Sequence, residues 1–164
     1  MIDLPAVQSL LASWWSNYDE ANFESWPAHF TSDVHVTSRS DSGHSPVEDF
    51  LRSDLHGRDE TLTWHTEHRN KSPYPLRHNG TNIYLTASRG GEAGRAEEAD
   101  FSSYIFVTIV AEGRVMNASS GVVTGTVRVE DGALRIAELQ IVLDFTNSRP
   151  LEEIEVPVGS AVAQ

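Results

Sequence analysis

The chain contains no cysteine, which excludes disulfides, thiolate nucleophiles, iron–sulfur clusters and Cys-ligated zinc, and leaves only histidine and carboxylate metal sites open. Positive charge is also scarce. Twelve Lys and Arg stand against 24 Asp and Glu, a formal net charge of −12. Affinity for a nucleic-acid backbone comes mainly from Lys and Arg neutralising phosphates, so nucleic acid is not an expected partner. No basic residue precedes Arg39, so neither the cationic start of a secretory signal nor the arginines of a transit peptide are in view. The best apolar run, Tyr104 to Ala111, is broken by Thr108 and falls well short of the roughly 18 residues needed to cross a bilayer. A cytoplasmic protein without a membrane partner is expected. Phosphate loops, dinucleotide fingerprints and the Gly-x-Ser-x-Gly nucleophile elbow are all missing, so cofactor-dependent classes recede and no cofactor is nominated.

What is present reads as one domain over residues 1–150 followed by a poorly ordered tail over 151–164. Asp3 and Pro5 form a helix start, and Val7, Leu10, Leu11, Trp14, Trp15 and Tyr18 keep a helical period after it. Phe23, Trp26 and Phe30 suggest a second helix that Pro27 shortens. Val34 and Val36 alternate with polar neighbours as a strand, and Ser45, Pro46 and Glu48 resemble a capping box opening a third helix with Phe50, Leu51 and Leu55. Between Asp59 and Lys71, the alternation of Leu62, Trp64 and Thr66 predicts a strand. Four long strands follow, near Arg77–Ser88, Phe101–Ala111, Val115–Val129 and Ala133–Phe145. They are separated by Arg89–Arg95, Glu112-Gly113 and the Asp131-Gly132 hairpin signal. Helices first and a meander afterwards is an α+β layout, with helices packed on one face of a curved, mostly antiparallel sheet.

This order resembles the cone-shaped fold of the nuclear-transport-factor-2-like (NTF2-like, cystatin-like) superfamily. Three segments carry the likeness. Tyr18-Asp19, then Phe23, Trp26, Phe30 and Asp33-Val34, is similar to the Tyr-Asp, aromatic, Asp-Val register of the SnoaL-like and scytalone dehydratase branch. Arg77-His78-Asn79-Gly80-Thr81-Asn82-Ile83 resembles that branch's histidine-bearing strand, and also the hexachlorocyclohexane dehydrochlorinases. Val127 to Phe145 resembles the last hairpin. The small β subunits of aromatic-ring-hydroxylating dioxygenases share the fold and length, an Asp before the first aromatic helix and an Arg-His in the middle strand.

The resemblance implies an Asp19–His78 dyad, in which a carboxylate holds an imidazole as a general base for elimination or isomerisation without a metal. Asp19 would be aimed into the closed end of a cone lined by Trp15, Trp26 and Phe30. Tyr18, Phe50, Asn82, Tyr104, Asn117 and Ser120 complete the candidate binding set for a small hydrophobic ring compound. Plainer readings stand beside these: Asp19 as a helix-end cap, His78 as a buried structural histidine, Tyr18 as core, and the Asn117–Ser120 stretch as a strand bulge. Two departures weaken identity with scytalone dehydratase itself. The second catalytic histidine expected on the Phe101–Ala111 strand is replaced by Ser102, Ser103 and Tyr104, and a first-strand tyrosine is replaced by Ser38. His65 and His68 nominate no third metal ligand, and His29, His35, His44 and His56 read as surface residues, so no metal site is expected. The expected partner list is therefore a small hydrophobic molecule and a second or third copy of the chain, as a homo-oligomer. The alternative function is a non-catalytic scaffold like the dioxygenase β subunit.

Overall fold

The structure is a computed structural model and describes residues 2–90 and 97–153. Helix α1 (Leu4–Asp19) starts where the Asp3 carboxylate accepts from the Ala6 N–H at 2.8 Å, with Pro5 in its first turn. It buries the stripe Val7, Leu11, Trp14, Trp15 and Tyr18. A 3₁₀ segment, Phe23–His29, contains Pro27 and leads directly into strand β1 (Phe30–Ser40). After the one-turn helix α2 (Glu48–Leu51) come strand β2 (Ser53–His56) and helix α3 (Arg58–Lys71). The long strands are β3 (Leu76–Arg89), β4 (Glu98–Ala111), β5 (Arg114–Glu130) and β6 (Ala133–Leu143).

The six strands form one sheet in the order β2-β1-β6-β5-β4-β3, antiparallel except for the parallel β1–β6 pair. The fold is a cystatin-like α+β fold, with the helices lying on one face of a mostly antiparallel sheet. The two-residue hairpins Glu112-Gly113 and Asp131-Gly132 have positive φ at both positions, the conformation whose twist matches paired strands. The meander buries alternate residues: on β4, Ala99, Phe101, Ser103, Ile105 and Val107 face inward, while Tyr104 and Phe106 are exposed. The β3–β4 turn expected near Arg89–Arg95 lies largely outside the described residues, as does most of the 151–164 tail. Among the described residues no helix is long and apolar enough to cross a membrane.

Two elements differ from expectation. Residues 58–71 are a helix and not a strand. The stripe that faces the core is Thr61, His65 and Arg69, spaced four apart, so the helical period is carried by polar residues that a count of apolar alternation misses. The capping-box contact is present, since Glu48 Oε2 accepts from the Ser45 amide at 3.3 Å. It opens only four helical residues, because Arg52 turns extended and Leu55 belongs to β2, which pairs antiparallel with β1.

Candidate active site

Tyr18 and Asp19 occupy the last turn of α1, and α3 fixes that turn in place. The Arg69 guanidinium, 5% exposed, donates from Nε and Nη2 to the Tyr18 and Asp19 carbonyls (2.7–3.3 Å) and from Nη1 to the Ser72 and Pro73 carbonyls. A cation on the carbonyls of a helix C-terminus is favoured by both hydrogen bonding and the helix dipole. The chain end of α1 is thereby tied to the end of α3 and the loop entering β3.

Held there, the buried Asp19 carboxylate accepts twice from one residue of β3. The His78 backbone N–H donates to Oδ2 at 2.8 Å and the ring Nδ1–H donates to Oδ1 at 2.5 Å. The His78 ring stacks on Trp15 at 4.7 Å and 10° between planes. Two bonds and a stacked face fix both the tautomer and the ring orientation. Nε2 is left without a hydrogen-bond partner among the described residues, and it is the atom available to a ligand.

His78 lines a cavity of about 270 Å³ enclosed by α1, α2, α3 and the inward face of the sheet. Its walls are mainly apolar, with Val36, Leu76, Ile105, Val107, Ile141 and Leu143 among them. The rim carries Val47, Phe50 and Phe145, which are 37–42% exposed. Several polar wall groups are already satisfied: Ser38 pairs with Ser53 at 2.8 Å, and Ser72 donates to the His68 carbonyl at 2.8 Å.

A second polar pair faces the same space. Tyr18 Oη lies 2.6 Å from His68 Nδ1, and the His68 ring is stacked between Phe50 (4.2 Å) and Trp64 (4.6 Å). Burial pushes the Tyr18 phenol well above its ordinary value and pulls His68 down from 6.5 to about 4, so both are neutral at pH 7. His68 Nε2 is buried with no hydrogen-bond partner. His65, also in the wall, is pulled down to about 4 by burial, and its Nδ1–H donates to the Thr61 carbonyl at 2.8 Å.

The structure thus brings together Asp19, His78, Tyr18, Trp15 and Phe50 and separates the other candidates from them. Asp19 does not line the cavity; it sits behind His78, on an outer cleft shared with Ser16 and Gly80. Trp26 and Phe30 are 0–1% exposed core residues packed edge-on against Trp14, so the segment preceding β1 supports the cavity without lining it. Tyr104 faces the outer side of the sheet because β4 alternates. Asn82 is exposed with φ 53 at a break in the β3–β4 register. Asn117, oriented so that its amide donates to the Val107 and Ser119 carbonyls, is an exposed residue at a β4–β5 register break. Ser120 donates to Asp144 at 2.8 Å, away from the wall. His29 is buried against Ser13 and the Ser25 carbonyl and is not a surface residue. The residues missed were His68 and His65. Basic His68, Arg69 and Lys71 following acidic Asp59 and Glu60 is a charge order that signals a helix, and that signal would have put both histidines on one face.

The SnoaL-like domain family matches residues 2–140, and the chain belongs to it. No curated protein matches the chain. Among solved structures, it is similar to a cystatin-like protein of unknown function from Nostoc punctiforme (22% identity, TM-score 0.62, covering 85% of this chain and 89% of that one). A protein from Novosphingobium aromaticivorans provisionally named as a scytalone dehydratase gives 16% identity, TM-score 0.63 and coverage of 90% and 87%. The β subunit of a provisionally assigned aromatic-ring-hydroxylating dioxygenase from the same organism gives 17% identity, TM-score 0.60 and coverage of 90% and 93%. At these identities the likeness shows the fold, which hosts both kinds of protein.

Proposed function

We propose that the chain is an acid/base enzyme of the lyase or isomerase type, acting on a small hydrophobic ring compound that carries an enolisable carbonyl. The observation that supports this best is the Asp19–His78 pair, with His78 in the wall of the apolar cavity and its Nε2 without a hydrogen-bond partner among the described residues. In this reading Nε2 removes a proton from the carbon next to the carbonyl, and Asp19 stabilises the imidazolium that forms. The neutral Tyr18–His68 pair has one proton left beyond its own hydrogen bond and donates it to the developing enolate oxygen. The proton held on His78 Nε2 then returns to another carbon in an isomerisation, or passes to the departing hydroxyl, which leaves as water, in an elimination. A mainly apolar wall with a few unpaired polar atoms suits a ring compound better than a sugar or a phosphate ester. The scaffold reading, suggested by the dioxygenase β-subunit likeness, uses the same fold and needs neither dyad nor cavity.

The test needs only the reaction class. Hydrogen–deuterium exchange at the carbon next to the carbonyl of 2-tetralone, followed by proton NMR in D2O, is expected to be catalysed by the native chain. Asp19→Asn keeps the side-chain volume and removes the charge, and should slow exchange on the order of 10²-fold or more. Exchange equal in the native chain, Asp19→Asn and His78→Gln would sink the dyad. Stability cannot replace this readout. Removing the His78 ring strips the buried Asp19 carboxylate of one of its two donors and Trp15 of its stacking partner. Both readings therefore predict a loss of about 1–3 kcal/mol.

A further inference from the structure

Strands β1 and β2 carry a second cluster on the opposite side from the cavity. His35 and His56 are directly paired across the ladder, and Asp54 sits two residues before His56, on the same face. The inward-facing residues between them, Val36 and Leu55, are buried. The two imidazoles lie side by side, 4.3 Å apart and 12° from parallel. Their Nε2 atoms reach the same Asp54 Oδ1, at 2.8 Å from His35 and 3.2 Å from His56. The three donor atoms lie within 4.8 Å of one another.

We infer that His35, Asp54 and His56 form a three-ligand site for a late first-row divalent cation such as Zn2+ or Ni2+. Three points of chemistry carry it. A tetrahedral ion with bonds of about 2.0–2.1 Å needs donors roughly 3.3 Å apart, and the two histidine-to-aspartate separations, 2.8 and 3.2 Å, lie near that value. Two imidazole nitrogens and one carboxylate oxygen select Zn2+, Ni2+ or Cu2+ over the hard, oxygen-seeking Mg2+ and Ca2+. The donors come from a hydrogen-bonded ladder, so little backbone ordering remains for the ion to impose. Each histidine ligates through its Nε2 lone pair as the Nδ1–H tautomer, so the ion takes the place of the two contacts with Asp54 Oδ1 while each ring keeps its proton on Nδ1. Solvent access at the exposed His56 and Asp54 side leaves a fourth position for water.

The site has a structural consequence. β2 is an edge strand of four residues that, among the described residues, pairs only with β1, and the inner faces of these two strands supply Val36, Ser38 and Ser53 to the cavity wall. An ion on the outer face clamps that part of the wall from behind. The site is independent of the proposed catalytic reading and stands or falls without it.

The experiment uses the full chain without a polyhistidine tag, dialysed against EDTA and then against buffer. Calorimetric titration with ZnCl2, NiCl2 and MgCl2 is expected to give one Zn2+ or Ni2+ per chain and no binding of Mg2+. His35→Asn, His56→Asn and Asp54→Asn should each weaken Zn2+ binding by about tenfold or more. All three positions are on the surface, and circular dichroism checks that the variants fold. Long-range proton–nitrogen NMR should show the Nε2 signals of His35 and His56 shifting with Zn2+ while those of His44 stay in place. Absence of saturable binding overturns the site. So does Zn2+ affinity unchanged in the His35→Asn/His56→Asn double variant.

Discussion

Lowering the pH from about 7.5 to about 5 should destabilise this fold by on the order of 4 kcal/mol, and the loss should trace to two histidines of α3. His65 is 5% exposed, donates Nδ1–H to the Thr61 carbonyl, and is surrounded by the rings of Trp14, Tyr18, Phe30 and Trp64. A proton on Nε2 would place a charge among aromatic faces with no carboxylate beside it. Burial therefore lowers His65 from 6.5 to about 4, and His68 is lowered equally with burial as the largest cause. As pH falls, the unfolded chain takes up these protons near 6.5, while the folded chain refuses them until about 4. The stabilisation is thus complete above 6.5, falls progressively between 6.5 and about 4, and levels off below that. Full protonation corresponds to on the order of 3 kcal/mol per histidine, and at about pH 5 the loss is on the order of 2 kcal/mol for each. Set against a typical domain stability of about 5–15 kcal/mol, the sum is a large fraction.

The window separates histidines from carboxylates. Asp33, Asp41, Asp100 and Glu130 are held below their ordinary values, and Glu48 falls to about 2, chiefly through the Ser40 hydroxyl. Stability from these acids is present above their unfolded values near 4 and is lost only below them. His29, also pulled down by burial, adds in the same direction as the α3 pair. Urea unfolding followed by tryptophan fluorescence at the two pH values measures the difference. In His65→Gln the absolute stability falls, but the difference between the two pH values should shrink by roughly half. A native chain equally stable at both values would refute the reasoning, as would a His65→Gln variant with an undiminished pH dependence.

Two further outcomes follow from packing. Gly125→Ala would place a Cβ 2.1 Å from the Glu138 carbonyl oxygen and 3.0 Å from the Phe101 ring, so backbone must move and a loss of about 3 kcal/mol is expected. Gly113→Ala has nothing within 4 Å and only its positive φ to overcome, costing about 1 kcal/mol; melting temperatures that failed to separate the two would contradict this geometry. Arg69→Lys keeps the charge but loses the fork that serves four carbonyls. It should cost about 3 kcal/mol and also lower the tetralone exchange rate, since Tyr18 and Asp19 lose their anchor; unchanged thermal unfolding would show that the guanidinium is dispensable.

Much of this fold was readable because its signals are local. Asp3 and Pro5 mark the start of α1, and two hairpins declare themselves by a glycine after an acidic residue. The Tyr18-Asp19 and His78 positions were readable through resemblance, and the hydrogen bonds between them join positions 59 residues apart. Tyr104, Asn82 and Ser120 failed for one reason. On a strand the choice of face changes with every residue, so a one-step error in register, or a bulge such as those at Thr81/Tyr84 and Val107/Thr108, moves a side chain from cavity to solvent.

The α3 error was the costlier one, and its cause is chemical. A helix is read from sequence by the period of its apolar residues, on the premise that the buried stripe is hydrophobic. Here the buried stripe is Thr61, His65 and Arg69, while Leu62 and Trp64 are only partly buried. Each polar member is tolerated by a particular means: Arg69 donates to four carbonyls, and His65 gives its proton to Thr61 and keeps its ring among aromatics. Apolar residues on that stripe would have made a more legible helix. They would have removed the anchor of the α1 terminus, and with it the support beneath Asp19. The segment least legible as structure is therefore the one that positions the candidate dyad, which is where a departure from local pattern rules is expected to fall.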